Sequence, residues 1–267
     1  MSIEKSFQQL KEKEQIALIS YLMGGDPHPK LTTKIAGALI EGGTDILEIG
    51  IPFSDPIADG PTIQDANQRA LGSGTTPLAV LELANQIKED FKIPIVILTY
   101  YNPIFRMGMK NFFDKAKKNK VDGVIVPDLP IEEARDYKIL ADMNGLDTIF
   151  IASPSTPIDR LKSIVKYTSG FLYLVSLYGV TGARKELQQM TLDLIKNFLP
   201  HTKKKIPLAV GFGISQPDHI KNIMKAGADG VIIGSAYVEM INRNKNDLYK
   251  MLNNLRKYAS KLKKATR

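Results

Sequence analysis

The stretch I-P-L-A-V-G-F-G-I-S-Q-P-D-H-I-K-N-I-M-K-A-G-A-D-G-V-I-I-G-S-A (residues 206–236) holds one complete turn of the chain's organising unit. Residues 206–210 form a short, nearly continuous apolar run that ends in the glycine-rich turn Gly211-Phe212-Gly213. Such a run, continuous rather than alternating, is expected of a parallel strand covered on both faces. Residues 216–226 have helical spacing, with Ser215, Pro217 and Asp218 as start signals and Gly227 as the stop. Residues 230–233 begin the next apolar run, and Gly234-Ser235-Ala236 the next turn.

The same alternation extends in both directions. Apolar runs stand at 16–23, 46–51, 93–100, 121–126, 148–151, 171–175, 206–210 and 230–233. Helical candidates follow at 30–41, 78–89, 111–119, 132–144, 158–167, 185–199 and 216–226. Eight strand–helix units with right-handed crossovers predict an α/β protein of the (β/α)8 TIM-barrel class, with an open doubly wound sheet as the alternative. Residues 2–13 read as an extra N-terminal helix closing the barrel bottom, and 246–262 as an amphipathic last helix. A short helix after strand eight is expected to serve phosphate binding. No linker or composition break divides the chain, so residues 1–267 are expected to form a single TIM-barrel domain.

Composition narrows the function classes. The chain has 267 residues, close to the usual length of such a barrel. No apolar run is long enough to span a bilayer, and the first residues carry no apolar block with a small-residue cleavage site. Without cysteine there is no disulfide framework, thiol nucleophile or thiolate metal site. A cytoplasmic protein with no membrane partner is the expectation. The formal charge is +8, and 28 of the 36 basic residues are Lys. These lysines are dispersed, apart from 203–205 and the C-terminal tail, and no aromatic residues interleave with them to stack bases, so no nucleic-acid partner is expected.

In a barrel of this kind, function belongs at the C-terminal strand ends. The second run, Asp45-Ile46-Leu47-Glu48-Ile49-Gly50, places a carboxylate inside apolar sequence. Alternation puts Glu48 on the face of Ile46 and Gly50. Either it is paired with Lys or Arg at the rim, or burial raises its pKa into the range of a general acid or base. The loop that follows, residues 52–64, is rich in proline and acid and returns Asp59 to the same mouth; isolated, its aspartates would be simple turn residues. Glycines after strands seven and eight are either ordinary strand-end turns or, with Ser235 as N-cap of a following helix, a site for phosphate held by main-chain N–H groups. Gly179-Val180-Thr181-Gly182-Ala183 is either a lid closing on ligand or a plain mobile loop. Lys92 and Lys205 lie at strand beginnings, the wrong end for a Schiff base. His28, His201 and His219 share no ligand spacing, so no metal is expected.

L-E-I-G-I-P-F-S-D-P-I-A-D-G-P-T-I-Q (residues 47–64) resembles the signature of the tryptophan synthase α-chain family. G-V-T-G-A (179–183), G-F-G-I-S (211–215), G-S-A (234–236), Tyr100-Tyr101-Asn102-Pro103 and Val126-Pro127-Asp128-Leu129-Pro130 extend the resemblance from about residue 7 to 241. It implies a lyase performing retro-aldol cleavage of indole-3-glycerol phosphate to indole and glyceraldehyde 3-phosphate. Glu48 matches the family's general acid/base and Asp59 the acceptor of the indole N–H. Tyr173 matches a tyrosine beside the acid; Tyr100, Phe212, Ile63, Leu98, Ile125 and Tyr21 match the indole wall, and Thr181 a lid contact. Gly182, Gly213, Gly234 and Ser235 match phosphate donors. No cofactor is implied in this chain, pyridoxal phosphate belonging to a β subunit in an α2β2 assembly that receives the indole. The matching contact surface is residues 52–59, 102–105, 128–130 and the lid. Ser20 stands where many relatives carry proline, Tyr21 where some carry phenylalanine, and Leu177-Tyr178 where smaller or more polar residues are usual. The rival readings are an interaction subunit whose main role is to activate the β chain, and a different phosphate-binding barrel such as a sugar-phosphate isomerase.

Overall fold

The computed structural model describes residues 1–175, 184–211 and 213–267, and leaves the side chains of residues 184–188 undescribed. The first half runs α1 (Ile3–Glu12), β1 (Ala17–Met23), α2 (Pro29–Glu41), β2 (Ile46–Gly50), α3 (Pro61–Gly72), α4 (Pro77–Phe91), β3 (Ile95–Leu98), α5 (Tyr101–Met107), α6 (Met109–Lys118) and β4 (Gly123–Ile125). A 3-10 turn (Ile131–Glu133) then leads to α7 (Arg135–Asn144), β5 (Asp147–Ile149), β6 (Ile151–Ala152), α8 (Ile158–Tyr167) and β7 (Leu172–Val175). The last part comprises α9 (Arg184–Thr202), β8 (Leu208–Gly211), α10 (Pro217–Lys225), β9 (Gly230–Ile233), α11 (Ser235–Arg243) and α12 (Leu248–Lys263).

All strand pairs are parallel, in the order β5-β4-β3-β2-β1-β9-β8-β7-β6. The two ends of this series, β5 and β6, are one chain segment interrupted at Phe150, whose carbonyl accepts the Tyr173 N–H at 3.0 Å. The sheet therefore returns on itself, and the expected eight-stranded barrel appears with its fifth strand broken by a single residue.

The continuous apolar runs resolve into two faces. Leu18, Leu22, Leu47, Ile49, Ile95, Ile97, Val124, Leu172, Leu174, Val210, Val231 and Ile233 point outward into the layer shared with the helices. Ala17, Ile19, Ile46, Val96, Ile125, Ile149, Tyr173, Ala209 and Ile232 fill the interior, closed from below by Ile3, Phe7 and Leu10 of α1. Burying each aliphatic side chain is worth about 1.5–3 kcal/mol, so both layers contribute strongly.

At the strand beginnings, aspartates tie neighbouring strands together. Asp45 accepts the Leu18 N–H at 2.8 Å, Asp122 that of Ile95 at 2.7 Å and Asp229 that of Leu208 at 2.8 Å. Lys263 and Lys88 neutralise two of them. This end of the barrel is fastened by local chemistry, which leaves the opposite end to loops. Among the described residues, no helix is long and apolar enough to cross a membrane.

Some local expectations change. The loop read over residues 52–64 ends at Gly60: Pro61, with its fixed φ, starts α3, so Ile63 and Gln64 are helical. The helix expected over 132–144 divides into the 3-10 turn and α7. The short helix α5 had no periodic signal of its own.

Candidate active site

Glu48 sits in the middle of β2, one alternation above Ile46, and only 1% of it is exposed. Its direction is inward, and its Oε2 has no hydrogen-bond partner. No Lys or Arg pairs with it among the described residues, so the rim ion pair is replaced by the buried alternative. Burial, reinforced by the charge of Asp59, pushes the Glu48 carboxyl up from 4.5 to about 8. A carboxyl in that range holds its proton at neutral pH and can still release it.

Tyr21 is the register partner of Glu48 on β1. Room for its ring comes from Gly50, where a Cβ would lie 2.4 Å from the Tyr21 hydroxyl. The same device recurs across the barrel: a Cβ on Gly211 of β8 would lie 2.4 Å from the hydroxyl of Tyr173 on β7. Both phenols feel burial first and then the charges of Glu48 and Asp59, and both are held well above the ordinary tyrosine range. They remain neutral hydroxyls facing the two acids.

Asp59 arrives on the loop between β2 and α3. Tyr100, the N-cap of α5, accepts the Ala58 N–H at 3.0 Å and donates its hydroxyl hydrogen to the Asp59 carboxylate. Asn67 of α3 donates to Asp59 Oδ2 at 3.3 Å, and Gln64 to the Asp59 carbonyl at 2.8 Å. Burial raises the Asp59 carboxyl to about 6 although the bonds from Tyr100 and Asn67 pull it down. At neutral pH the two acids thus hold different protonation states within one cavity.

That cavity, about 460 Å³, is of the size that encloses a small organic ligand. It is lined by Tyr21, Glu48, Asp59, Ile63, Leu98 and Tyr173 at the acid side and by Gly213, Gly234 and Ser235 elsewhere. Gly213 has a positive φ of 70°, a conformation that favours glycine. Ser235 differs from its expected part: Gly234, with φ −122° and ψ −81°, is the N-cap of α11, and Ser235 is the first helical residue. A glycine cap leaves the first-turn N–H groups uncovered by a side chain. No acidic residue occupies that first turn, so the helix end is electrostatically open to an anion.

Two expected wall residues take other positions. Ile125 packs inside the barrel with Ile149 and Tyr173 and is not among the residues that line the cavity. Tyr100 reaches the site through Asp59 rather than through the wall. Phe212, Thr181 and Gly182, with the rest of the expected lid at 179–183 and Leu177-Tyr178 before it, lie outside the described residues. Sequence reasoning passed over Ile232, an ordinary strand residue, and Asn67, whose signal is a lone amide on the apolar side of a helix beside Ile63, Ala66 and Ala70.

The sequence model of the family described as tryptophan synthase alpha chain matches residues 7–267. The tryptophan synthase alpha chain of Methanoregula boonei is 46% identical over 254 residues, covering 95% of this chain and 95% of its own. Among solved structures, the tryptophan synthase alpha chain of Legionella pneumophila superposes with a TM-score of 0.88 at 34% identity, covering 100% of this chain and 97% of that one. A chain of the structure described as the tryptophan synthase a2b2 complex from Pyrococcus furiosus superposes with a TM-score of 0.86 at 41% identity, covering 93% and 98%.

Proposed function

The chain belongs to the tryptophan synthase alpha chain family, and on that premise we propose that Glu48 and Asp59 divide the work of its lyase reaction, the cleavage of indole-3-glycerol phosphate. Breaking the bond between the indole ring and the carbinol carbon leaves an electron pair on the ring carbon and an aldehyde on the departing fragment. A proton must reach that ring carbon, and the hydroxyl proton must leave. Glu48, protonated at pH 7, supplies the first and, once ionised, accepts the second, so it ends the cycle as it began. Asp59, ionised at pH 7, accepts the indole N–H and stabilises the positive charge that ring protonation creates. Environments that push two carboxyl groups apart in pKa assign the acid and the anion between them. The observation that carries this reading is that separation, about 8 against about 6, inside one cavity.

Tyr173 and Tyr21 are read as neutral hydroxyls flanking the acids, and Ile63 and Leu98 as the apolar wall for the indole ring. Main-chain N–H groups at Gly213, Gly234 and Ser235 are read as the phosphate donors, with Gly182 completing them. Replacing Glu48 by Gln, and separately Asp59 by Asn, tests the assignment by indole release from the purified chain. Each change is expected to lower turnover by at least about 100-fold, with binding of glyceraldehyde 3-phosphate retained. Undiminished turnover in either variant overturns the role given to that residue.

The partner is read as a tryptophan synthase β subunit that carries pyridoxal phosphate and receives the indole in an α2β2 assembly, in the cytoplasm. What supports it is the exposed apolar rim beside the site, with Ile57 81% and Phe105 67% exposed. Pro52, Phe53, Pro103 and Met107 line a groove next to them. Co-elution with a family β chain, lost in an Ile57→Asp, Phe105→Asp double variant, is the expected result.

A further inference from the structure

Asn67 is nearly inaccessible, with 1% exposed, yet it serves both ends of the loop that carries Asp59. Its Oδ1 accepts the N–H of Phe53 at 2.9 Å, near the start of the loop. Its Nδ2 donates to the Ile63 carbonyl at 3.0 Å and to Asp59 Oδ2 at 3.3 Å. The orientation of the amide is not arbitrary. Only its oxygen can accept from Phe53, so the nitrogen must face the carboxylate.

The helix beneath it is anchored separately. Arg69, two residues on, makes a two-pronged bond to Asp26 in the loop after β1, 2.7 Å from Nε to Oδ1 and 2.9 Å from the guanidinium nitrogen Nη2 to Oδ2. Ile63, Ala66 and Ala70 bury the apolar face of α3 against Tyr21, Met23 and Val238. The amide of Asn67 is therefore presented from a fixed platform to a loop that has no regular structure of its own.

We propose that Asn67 is a positioning residue of the reaction, holding the Asp59 loop in register with the cavity and lending one amide hydrogen to the Asp59 carboxylate so that this acid serves as the anion. The inference rests on the role of Asp59 stated above. Among the described residues, four titratable side chains face Asp59: Glu48 from β2, Tyr21 from β1, Tyr173 from β7 and Tyr100 from the end of β3. Glu239 of α11 also lines the cavity. None of them is a cation. Among the described residues, Tyr100 and Asn67 are the side chains whose hydrogen bonds stabilise negative charge on Asp59.

Asn67→Asp separates tethering from charge. The new carboxylate can still accept from Phe53, but it loses both donors and sets a like charge against Asp59. Indole release by the full-length chain, measured with indole-3-glycerol phosphate between pH 5 and 9, is the assay, alongside thermal unfolding. Asn67→Asp is expected to lose kcat on the order of 100-fold, with KM changed by less than about threefold, and its acidic limb is expected to rise by roughly one pH unit. Asn67→Ala removes all three bonds without adding charge. It should show a smaller rise of the same limb, and it decides the matter if the aspartate variant does not fold. An unmoved acidic limb in the folded variants, or a loss confined to KM, overturns the proposal. Asp59→Asn is the control: if it is inactive while the Asn67 variants behave normally, this inference alone is defeated, whereas an active control defeats the role of Asp59 itself.

Discussion

Glu48→Gln is expected to make the protein more stable while destroying its activity, by an amount that depends on pH. The wild-type carboxyl is buried with one oxygen unpartnered, and its pKa rises from 4.5 to about 8 on folding. The folded chain thus binds this proton more tightly than the unfolded chain. The ionisation penalty is absent below about pH 4.5, grows by about 1.4 kcal/mol per pH unit above it, and is complete above about pH 8. At pH 7 it is about 3 kcal/mol. Glutamine has nearly the same shape and no charge, so it relieves that penalty. Its amide adds a buried donor, which costs about 1 kcal/mol. The net gain at pH 7 is about 2 kcal/mol, or roughly 4 °C in Tm for a chain of this size. Urea unfolding of both proteins at pH 4.5, 6, 7 and 8, without ligand, is the assay. The difference should be absent or reversed at pH 4.5 and largest at pH 8. A pH-independent difference, or a glutamine variant less stable at pH 8, would refute the account of Glu48 as a carboxyl held against its own charge.

The other predictions address the chemistry directly. kcat/KM for indole release should follow a bell, rising with ionisation of Asp59 near pH 6 and falling with ionisation of Glu48 near pH 8; a plateau from pH 5 to 9 contradicts the division of labour. Gly211→Ala should push the Tyr173 ring off its present place, since the added methyl would lie 2.4 Å from the hydroxyl and 2.7 Å from two ring carbons. A stability loss of about 1–3 kcal/mol and at least tenfold lower turnover are expected, and wild-type turnover would show that Tyr173 has no positional role.

The chain recorded in its local pattern whatever each residue must satisfy alone. Runs such as Ile46-Leu47 and Val231-Ile232-Ile233 are apolar on both faces because their strands face helices on one side and the barrel interior on the other. That requirement is written within a few residues, and a parallel sheet covered by helices follows from it; its closure into a barrel is seen in the bond from the Tyr173 N–H to the Phe150 carbonyl. Glu48 was legible for a similar reason: a carboxylate breaking an apolar run is visible without knowing its neighbours. The glycines after the last two strands were visible as breaks in the pattern, and the long motif from residue 47 to 64 pointed to the reaction.

Tertiary structure decided what depends on distant partners. Whether Glu48 met a lysine or a void could not be read from β2, because the answer lies with Asp59 and the opposite wall. Asn67 carries no signal in the sequence beyond being polar on an apolar helix face, and only the fold brings the Phe53 N–H and the Asp59 carboxylate to it from another segment. Gly50 reads as a strand residue and Gly211 as a turn residue, and only the neighbouring strands show that they make space for two tyrosines. Ile125, equally apolar in sequence, packs into the barrel interior while its register partner Leu98 lines the cavity, a difference that the apolar pattern of the two strands does not carry. Periodicity encodes which face a side chain takes; the field, the partners and the depth it meets are set by chain segments tens of residues away.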